Sequence, residues 1–287
     1  MSRTAALLTA LLTLGLSLLV AGCGGDDAAD DAATPAGGET EVTTVAPGRL
    51  TIGSDIPFPP FEFREDGKLT GFDVRLAEEL AKRLGLEPRW VDTSFDTIFT
   101  SLASGQFDMV ASATTITEER KRQVSFTEPY YAAQQALTIS TAETPDVRTV
   151  EDLEPGSVVA VQRGTTGETW ARENLPEGVE ARSFAEGPDT YTALEAGNVA
   201  AVLFDEPSAI TEVDQRQGLE IVQVIDTGER YGFPVDPRNE ELLTALNEAL
   251  AEVKDDGTYQ RIYEEFEALP DGGNIVEAGD GASTEAP

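Results

Sequence analysis

The chain has 287 residues, of which 40% are apolar, with 53 Asp and Glu against 20 Lys and Arg. The formal net charge of -33 argues against nucleic acid as a partner, because binding it needs clustered Lys and Arg to displace counterions. There is no histidine and a single cysteine, Cys23. Together these remove Ser-His-Asp and Cys-His nucleophiles, His or Cys metal sites and any internal disulfide. No metal and no cofactor is expected.

Met1 to Gly22 reads as an export signal: Arg3 is the charged start, Ala5 to Val20 is apolar, and small residues follow. The run is short for a membrane span. Val20-Ala21-Gly22-Cys23 resembles a bacterial lipobox, in which the cysteine becomes the mature N-terminus and carries lipid. The alternatives are an ordinary signal peptide or an uncleaved anchor. Lipid chains would hold the protein on a membrane without a spanning helix. Residues 23–47 read as a disordered tether. Gly24 to Pro47 has six acids, no base and no apolar periodicity, and as a flexible coil it would reach ~25–30 Å. Residues 271–287 have a similar composition and read as a loose acidic tail.

Between these ends, strands alternate with helices. Arg49 to Ser54 reads as a strand, and the prolines of Asp55 to Phe61 forbid regular structure after it. Glu65 to Lys68 is a turn signal. Phe72, Leu76, Leu80 and Leu84 form one helix face closed by Gly85. Arg89 to Val91 is a strand, Phe95, Ile98, Phe99 and Leu102 mark a helix closed by Gly105, and Phe107 to Ala111 is the next strand. The chain is extended at Ala136 to Ser140, and a second set of elements begins at Ser157 to Val161. A Gly164-to-Gly167 loop leads into a helix ending near Asn174. Strands follow at Val179 to Phe184, Val199 to Phe204 and Leu219 to Val224, with helices at about Asp189 to Ala196 and Pro207 to Gln217. Leu242, Leu246, Leu250 and Val253 make a long helix ended by Gly257, and Thr258 is placed to cap a last helix through Leu269.

Ser112 to Arg120 runs from a buried strand into small hydroxylated residues and an arginine. Open α/β sheets bind ligands just beyond the carboxyl ends of their strands. Thr115 offers a hydroxyl and an N–H, and Arg120 a planar donor suited to a carboxylate. A surface turn capped by Thr117, with Arg120 solvated, fits the same spacing. A weak internal echo adds an opposing site: Leu102 to Val110 and Leu194 to Val202 share the layout helix end, glycine, strand. The second strand ends at Phe204-Asp205, which suggests one ligand between two similar α/β lobes.

With these segments in view, the chain resembles a family 3 extracellular solute-binding protein, the amino-acid receptor of bacterial ABC importers. The matching segments run in family order from about Gly48 to Ala268. They include Pro60-Phe61-Glu62-Phe63, Gly71-Phe72-Asp73-Val74, Thr115 to Arg120, Phe126 to Tyr131, Val161 to Thr166 and Asp256 to Tyr259. The resemblance implies an α/β fold of the two-lobe, type II periplasmic-binding-protein kind. Residues 48–137 with 230–270 would form lobe 1, residues 138–229 lobe 2, and two crossing strands the hinge. It implies that Arg120 grips an α-carboxylate and that Thr115 contacts carboxylate and α-amino groups. It also implies an Ala113 carbonyl and an Asp205 carboxylate for the α-ammonium, and a Thr166 N–H for the carboxylate. An N-cap role for Asp205 is the competing reading. Phe58 and Phe95 align with aromatics around the ligand side chain, and either fits a core role equally; Phe58 stands where many relatives have Tyr. Asp55 aligns with an acid lining the side-chain pocket, which favours Lys, Arg or His, with Gln close behind. Gln162 and Gln134 or Gln135 border the same region. The expected partners are a free amino acid, ABC permease subunits and, through lipid, the outer face of a membrane, with the protein itself a monomer. A dehydratase acting on prephenate-like substrates, or a sensor domain, are the other functions the scaffold hosts.

Overall fold

The computed structural model describes residues 42–276, so the predicted export signal, Cys23 and most of the predicted tether lie outside the described residues, as does the tail beyond Val276. In chain order the strands and helices begin with β1 (Arg49–Ser54), the hairpin β2 (Phe63–Glu65) and β3 (Lys68–Thr70), α1 (Phe72–Arg83) and β4 (Glu87–Asp92). Then come α2 (Ile98–Ala103), β5 (Met109–Val110), β6 (Ser125–Phe126), β7 (Tyr131–Ser140), β8 (Val158–Gln162) and α3 (Thr166–Asn174). β9 (Glu180–Phe184), α4 (Gly187–Glu195), β10 (Ala201–Asp205), α5 (Glu206–Gln215) and β11 (Leu219–Tyr231) follow. The chain closes with β12 (Pro234–Val235), α6 (Glu240–Asp255) and α7 (Thr258–Tyr263).

Two five-stranded mixed sheets result, ordered β4-β1-β5-β12-β6 and β11-β7-β10-β8-β9. In the first, β1 is flanked by parallel β4 and β5. Leu50 to Ser54 is buried on both strand faces, as a central parallel strand should be. In the second, β8 runs parallel to β9 and β10. The lobes are joined by β7 and β11, which pair antiparallel from Ser140 opposite Leu219 to Tyr131 opposite Tyr231. The ends of this ribbon are tied back to the first lobe by Ile116 N–H to Arg230 O and Gly232 N–H to Thr114 O.

The apolar stripe of α1 buries Phe72, Leu76, Ala77, Leu80 and Ala81 in one cluster with Leu242, Leu246, Leu250 and Val253 of α6. Phe61 meets Tyr131 and Tyr231 edge-on, with centroids 5.2 and 5.4 Å apart, so the proline-rich segment packs against the base of both crossing strands. Gly71 makes that packing possible. Its φ is 129°, and a Cβ there would overlap the Phe61 carbonyl.

The two echoed segments end their helices identically. Gly105 and Gly197 have left-handed φ of 74° and 68°. Gly105 N–H bonds Leu102 O and Gln106 N–H bonds Ser101 O, while Gly197 N–H bonds Leu194 O and Asn198 N–H bonds Ala193 O. This glycine closure satisfies the last carbonyls of each helix and turns the chain into β5 and β10.

Several expectations are corrected. The strand read at 136–140 begins at Tyr131, and the one read at 219–224 continues to Tyr231. Pairing with β7 breaks off after Ile225 and resumes at Glu229, beyond the polar residues Asp226 to Gly228, where side-chain alternation gives no signal. Phe95 to Thr97 is a 3-10 turn leading into α2, and the strand read at 107–111 is reduced to Met109–Val110. Gly257, with φ 77°, takes the N-cap position of α7 in place of Thr258, and the helix ends at Tyr263. The last residues of the predicted tether are tied to the body by hydrogen bonds, although Thr43, Val45 and Pro47 stay exposed. Val45 N–H donates to Asp108 at 2.6 Å, the same carboxylate takes the Thr51 N–H at 2.7 Å, and Asn239 holds the Thr43 carbonyl. The start of the predicted tail is packed: Asn274 is buried and bonds Gln260 at 2.6 Å.

Candidate functional site

The eight ligand-site residues singled out from the sequence line one narrow cavity of about 20 Å³. The first lobe supplies Asp55, Phe58, Phe95, Ala113, Thr115 and Arg120, and the second supplies Thr166 and Asp205. They come from strand ends, from the connections that follow them, or, for Thr166, from the first residue of α3, the side on which open α/β sheets place their ligands.

Arg120 is the principal cation of the cavity. Thr117 Oγ1 accepts the Arg120 N–H at 3.1 Å, but the N-cap position of the short 3-10 turn Arg120–Arg122 is Glu119, and Arg120 is only 8% exposed where the surface-turn reading has it solvated. Nη1 donates to Thr115 O at 2.8 Å, and Nη2 crosses to Gly164 O of the second lobe at 3.1 Å. The guanidinium carbon lies 5.3 Å from the Phe95 ring centre and 5.1 Å from that of Phe99. Two aromatic faces at this distance contribute about 0.5–2 kcal/mol each and fix the plane of the group. Burial pulls the Arg120 pKa down, and the Glu229 and Asp205 carboxylates oppose that. With five N–H donors and two committed to carbonyls, donors remain for an occupant.

Ala113 has a left-handed φ of 42°, a strained geometry for a residue with a Cβ. Its N–H donates to Asp73 Oδ2 at 2.9 Å, and Tyr130 OH holds the same oxygen at 2.7 Å. Burial raises the Asp73 carboxyl to about 7. Ser112 ties the neighbouring strand ends together by accepting the Asp55 N–H and donating to Glu62 Oε1 at 2.7 Å.

Two acids, buried Asp55 and half-buried Asp205, face the cavity without an ion pair among the described residues. Asp55 Oδ2 accepts from Gln162 Nε2 of the second lobe at 2.6 Å. Burial pushes its carboxyl up to about 7; the Gln162 bond opposes this, while Glu186 and Asp92 add to it. Asp205 accepts from Gln135 Nε2 at 2.5 Å and from Tyr231 OH. Burial and the neighbouring Glu229 raise it to about 7 as well, against those two bonds and Arg120. Asp205 stands at the N-cap position of α5, yet its side chain makes no capping bond. Among the described residues neither acid forms an ion pair.

Phe58 packs against Phe204 of the second lobe, centroids 5.3 Å apart, and against Phe61 at 6.1 Å. Phe95 is both core and lining: it packs with Ile98, Leu102 and Phe107 and still borders the cavity. Of the two glutamines left open, Gln135 lines this cavity, and Gln134 lies along a separate groove beside α6. Ser112, Thr165, Leu203 and Phe204 also line the cavity and were not singled out. Period-two alternation back from Asp205 would have found Leu203. Glu229, which bonds Thr115 Oγ1 at 2.6 Å and Thr166 Oγ1 at 2.8 Å, had no local signal because it lies in the unrecognised half of β11.

Comparison with known proteins agrees with this geometry. The family model for bacterial extracellular solute-binding proteins, family 3, matches residues 50–268. The L-cystine-binding protein TcyJ of Escherichia coli (strain K12) is 36% identical over 225 residues, covering 76% of this chain and 82% of that one. The histidine-binding periplasmic protein of the same strain is 33% identical over 239 residues, covering 79% and 90%. The solved structure of an ancestral arginine-binding protein bound to glutamine superposes with a TM-score of 0.74 at 39% identity, covering 78% of this chain and all of that one. With the two lobes, the crossing strands and a polar cavity between them, the chain belongs to the bacterial extracellular solute-binding proteins, family 3.

Proposed function

We propose that the protein captures a free polar amino acid by lobe closure and presents it to ABC permease subunits. The α-carboxylate sits against the free donors of Arg120, with the Thr166 N–H at the start of α3 adding to it. The α-ammonium is received by Asp205 and the Ala113 carbonyl. The two lobes are taken as residues 48–137 with 230–270 and residues 138–229, so the ligand bonds both only when they meet. That difference in affinity is what drives a closure. The process is binding and release, without bond chemistry.

The observation that carries the reading of the side chain is Asp55, a buried acid with no cationic partner among the described residues. A basic side chain supplies that partner, so arginine, lysine or histidine is preferred. Calorimetric titration of residues 42–276 with the twenty amino acids tests this. The reading requires binding of at least one basic amino acid, and it fails if only acidic or apolar ones bind. One observation favours glutamine as the second reading. The amide of Gln162 already bonds Asp55, and a ligand amide can take the same place.

Cys23 is proposed to carry lipid after removal of residues 1–22, holding the protein on the extracytoplasmic face of a membrane. No described helix is long and apolar enough to cross one. Membrane fractionation of the wild type and Cys23→Ser tests the anchor: the variant should move to the soluble exported fraction, and retention on the membrane would contradict it.

A further inference from the structure

Glu229 stands on β11 just past the pairing irregularity between Ile225 and Glu229, where the chain returns toward the first lobe. Such irregularities re-aim side chains, and this one is buried against the cleft. Oε2 accepts from Thr115 Oγ1 of the first lobe at 2.6 Å and from Thr166 Oγ1 of the second at 2.8 Å. Oε1 accepts from Thr227 Oγ1 at 3.0 Å and from Gln135 Nε2 at 3.3 Å. A carboxylate has about four acceptor positions, and all are filled here.

A threonine hydroxyl has one hydrogen. In Thr115 and Thr166 that hydrogen is directed at Glu229. The two oxygens lie 3.4 Å apart, and both residues border the cavity. Toward an occupant they therefore present lone pairs only. We infer that Glu229 is a positioning residue of the binding site: it fixes the Thr115 and Thr166 hydroxyls as acceptors, so that with Asp205 they receive a ligand ammonium and cannot donate to its carboxylate. The carboxylate is left to Arg120 and backbone N–H groups, and the hydroxyl pair discriminates in favour of a cationic donor group on the ligand. This rests on the amino-acid reading above.

The test is a mutant cycle read by titration calorimetry with L-arginine and L-glutamine. Glu229→Gln turns one acceptor into a donor and should weaken binding about tenfold. Glu229→Met accepts nothing and should weaken it further. Both losses should shrink to about twofold or less in a Thr115→Val, Thr166→Val background, because no hydroxyl is left to orient. A merely structural role in the crossing strand would give the same loss in either background, and that result would overturn the inference. So would wild-type affinity in Glu229→Met. Melting temperatures of each variant check folding, and if Glu229→Met does not fold, Glu229→Gln alone completes the cycle. A wild-type protein that binds no amino acid refutes the underlying reading first, and this inference falls with it.

Discussion

Gln162 of the second lobe donates its Nε2 hydrogen to Asp55 of the first at 2.6 Å, while the Asp55 backbone N–H donates to Ser112 Oγ at 3.0 Å. One acid is thus bonded across the cleft through its side chain and to its own lobe through its backbone. Among the described residues no cation pairs with its charge, which is the physical reason for assigning it to the ligand side chain.

Asp55→Asn should therefore act on charge more than on fit. A hydrogen bond to a charged group contributes about 1.5–3 kcal/mol and a neutral one about 0.5–1.5 kcal/mol. Arginine affinity should drop roughly 10- to 100-fold. Glutamine affinity should drop by less than about tenfold. Calorimetry on both ligands measures this, and equal losses would remove the preference for basic side chains.

The stability of the ligand-free protein should depend on pH in a definite direction. Asp55, Asp73 and Asp205 are each raised from 3.8 to about 7, chiefly by burial. A carboxyl with a raised folded pKa stabilises fully below its unfolded pKa and loses that contribution as pH rises through the folded value. The melting temperature should fall between about pH 4 and pH 7. A saturating basic amino acid should flatten the profile, because its cations stabilise the ionised forms of Asp55 and Asp205. Binding at pH 6 should release protons, read from titrations in buffers of different ionisation enthalpy.

Arg120→Met should abolish amino-acid binding and leave the fold intact. The thioether fits between Phe95 and Phe99, where the guanidinium now stacks. Two charge-assisted bonds to a carboxylate would be lost, a drop of at least about 100-fold. Circular dichroism checks the fold and calorimetry the affinity.

Much of this was legible in the sequence because it rests on apolar periodicity and glycine punctuation. α1 and α6 announce themselves through Leu76, Leu80, Leu246 and Leu250, and Gly105 and Gly197 mark the paired strand starts. The polar half of β11 was not legible. It is held by ladder pairs with β7 that resume only at Glu229 and by side-chain bonds of Glu229 to both lobes, neither of which leaves a local pattern. The same gap hid Glu229. The hydrogen-bonded segment 42–47 was also hidden, since its attachment depends on Asp108, more than sixty residues from Val45.

Gly71→Ala should be severely destabilising. The added methyl meets backbone at Phe61, which no rotamer change relieves, and φ of 129° is strained for alanine. A loss above about 3 kcal/mol in urea unfolding is expected. Because Phe61 wedges the crossing strands, ligand affinity in any surviving protein should fall as well.

The central claim is that the cavity between the lobes binds a free amino acid by its carboxylate and ammonium. A thermal-shift screen of residues 42–276 against the twenty amino acids tests it most directly, since a ligand bound only by the folded state raises its melting temperature. The account predicts a clear rise with one or more basic amino acids, or with glutamine, and none in Arg120→Met. No rise with any amino acid, or the same rise in the variant, would contradict it.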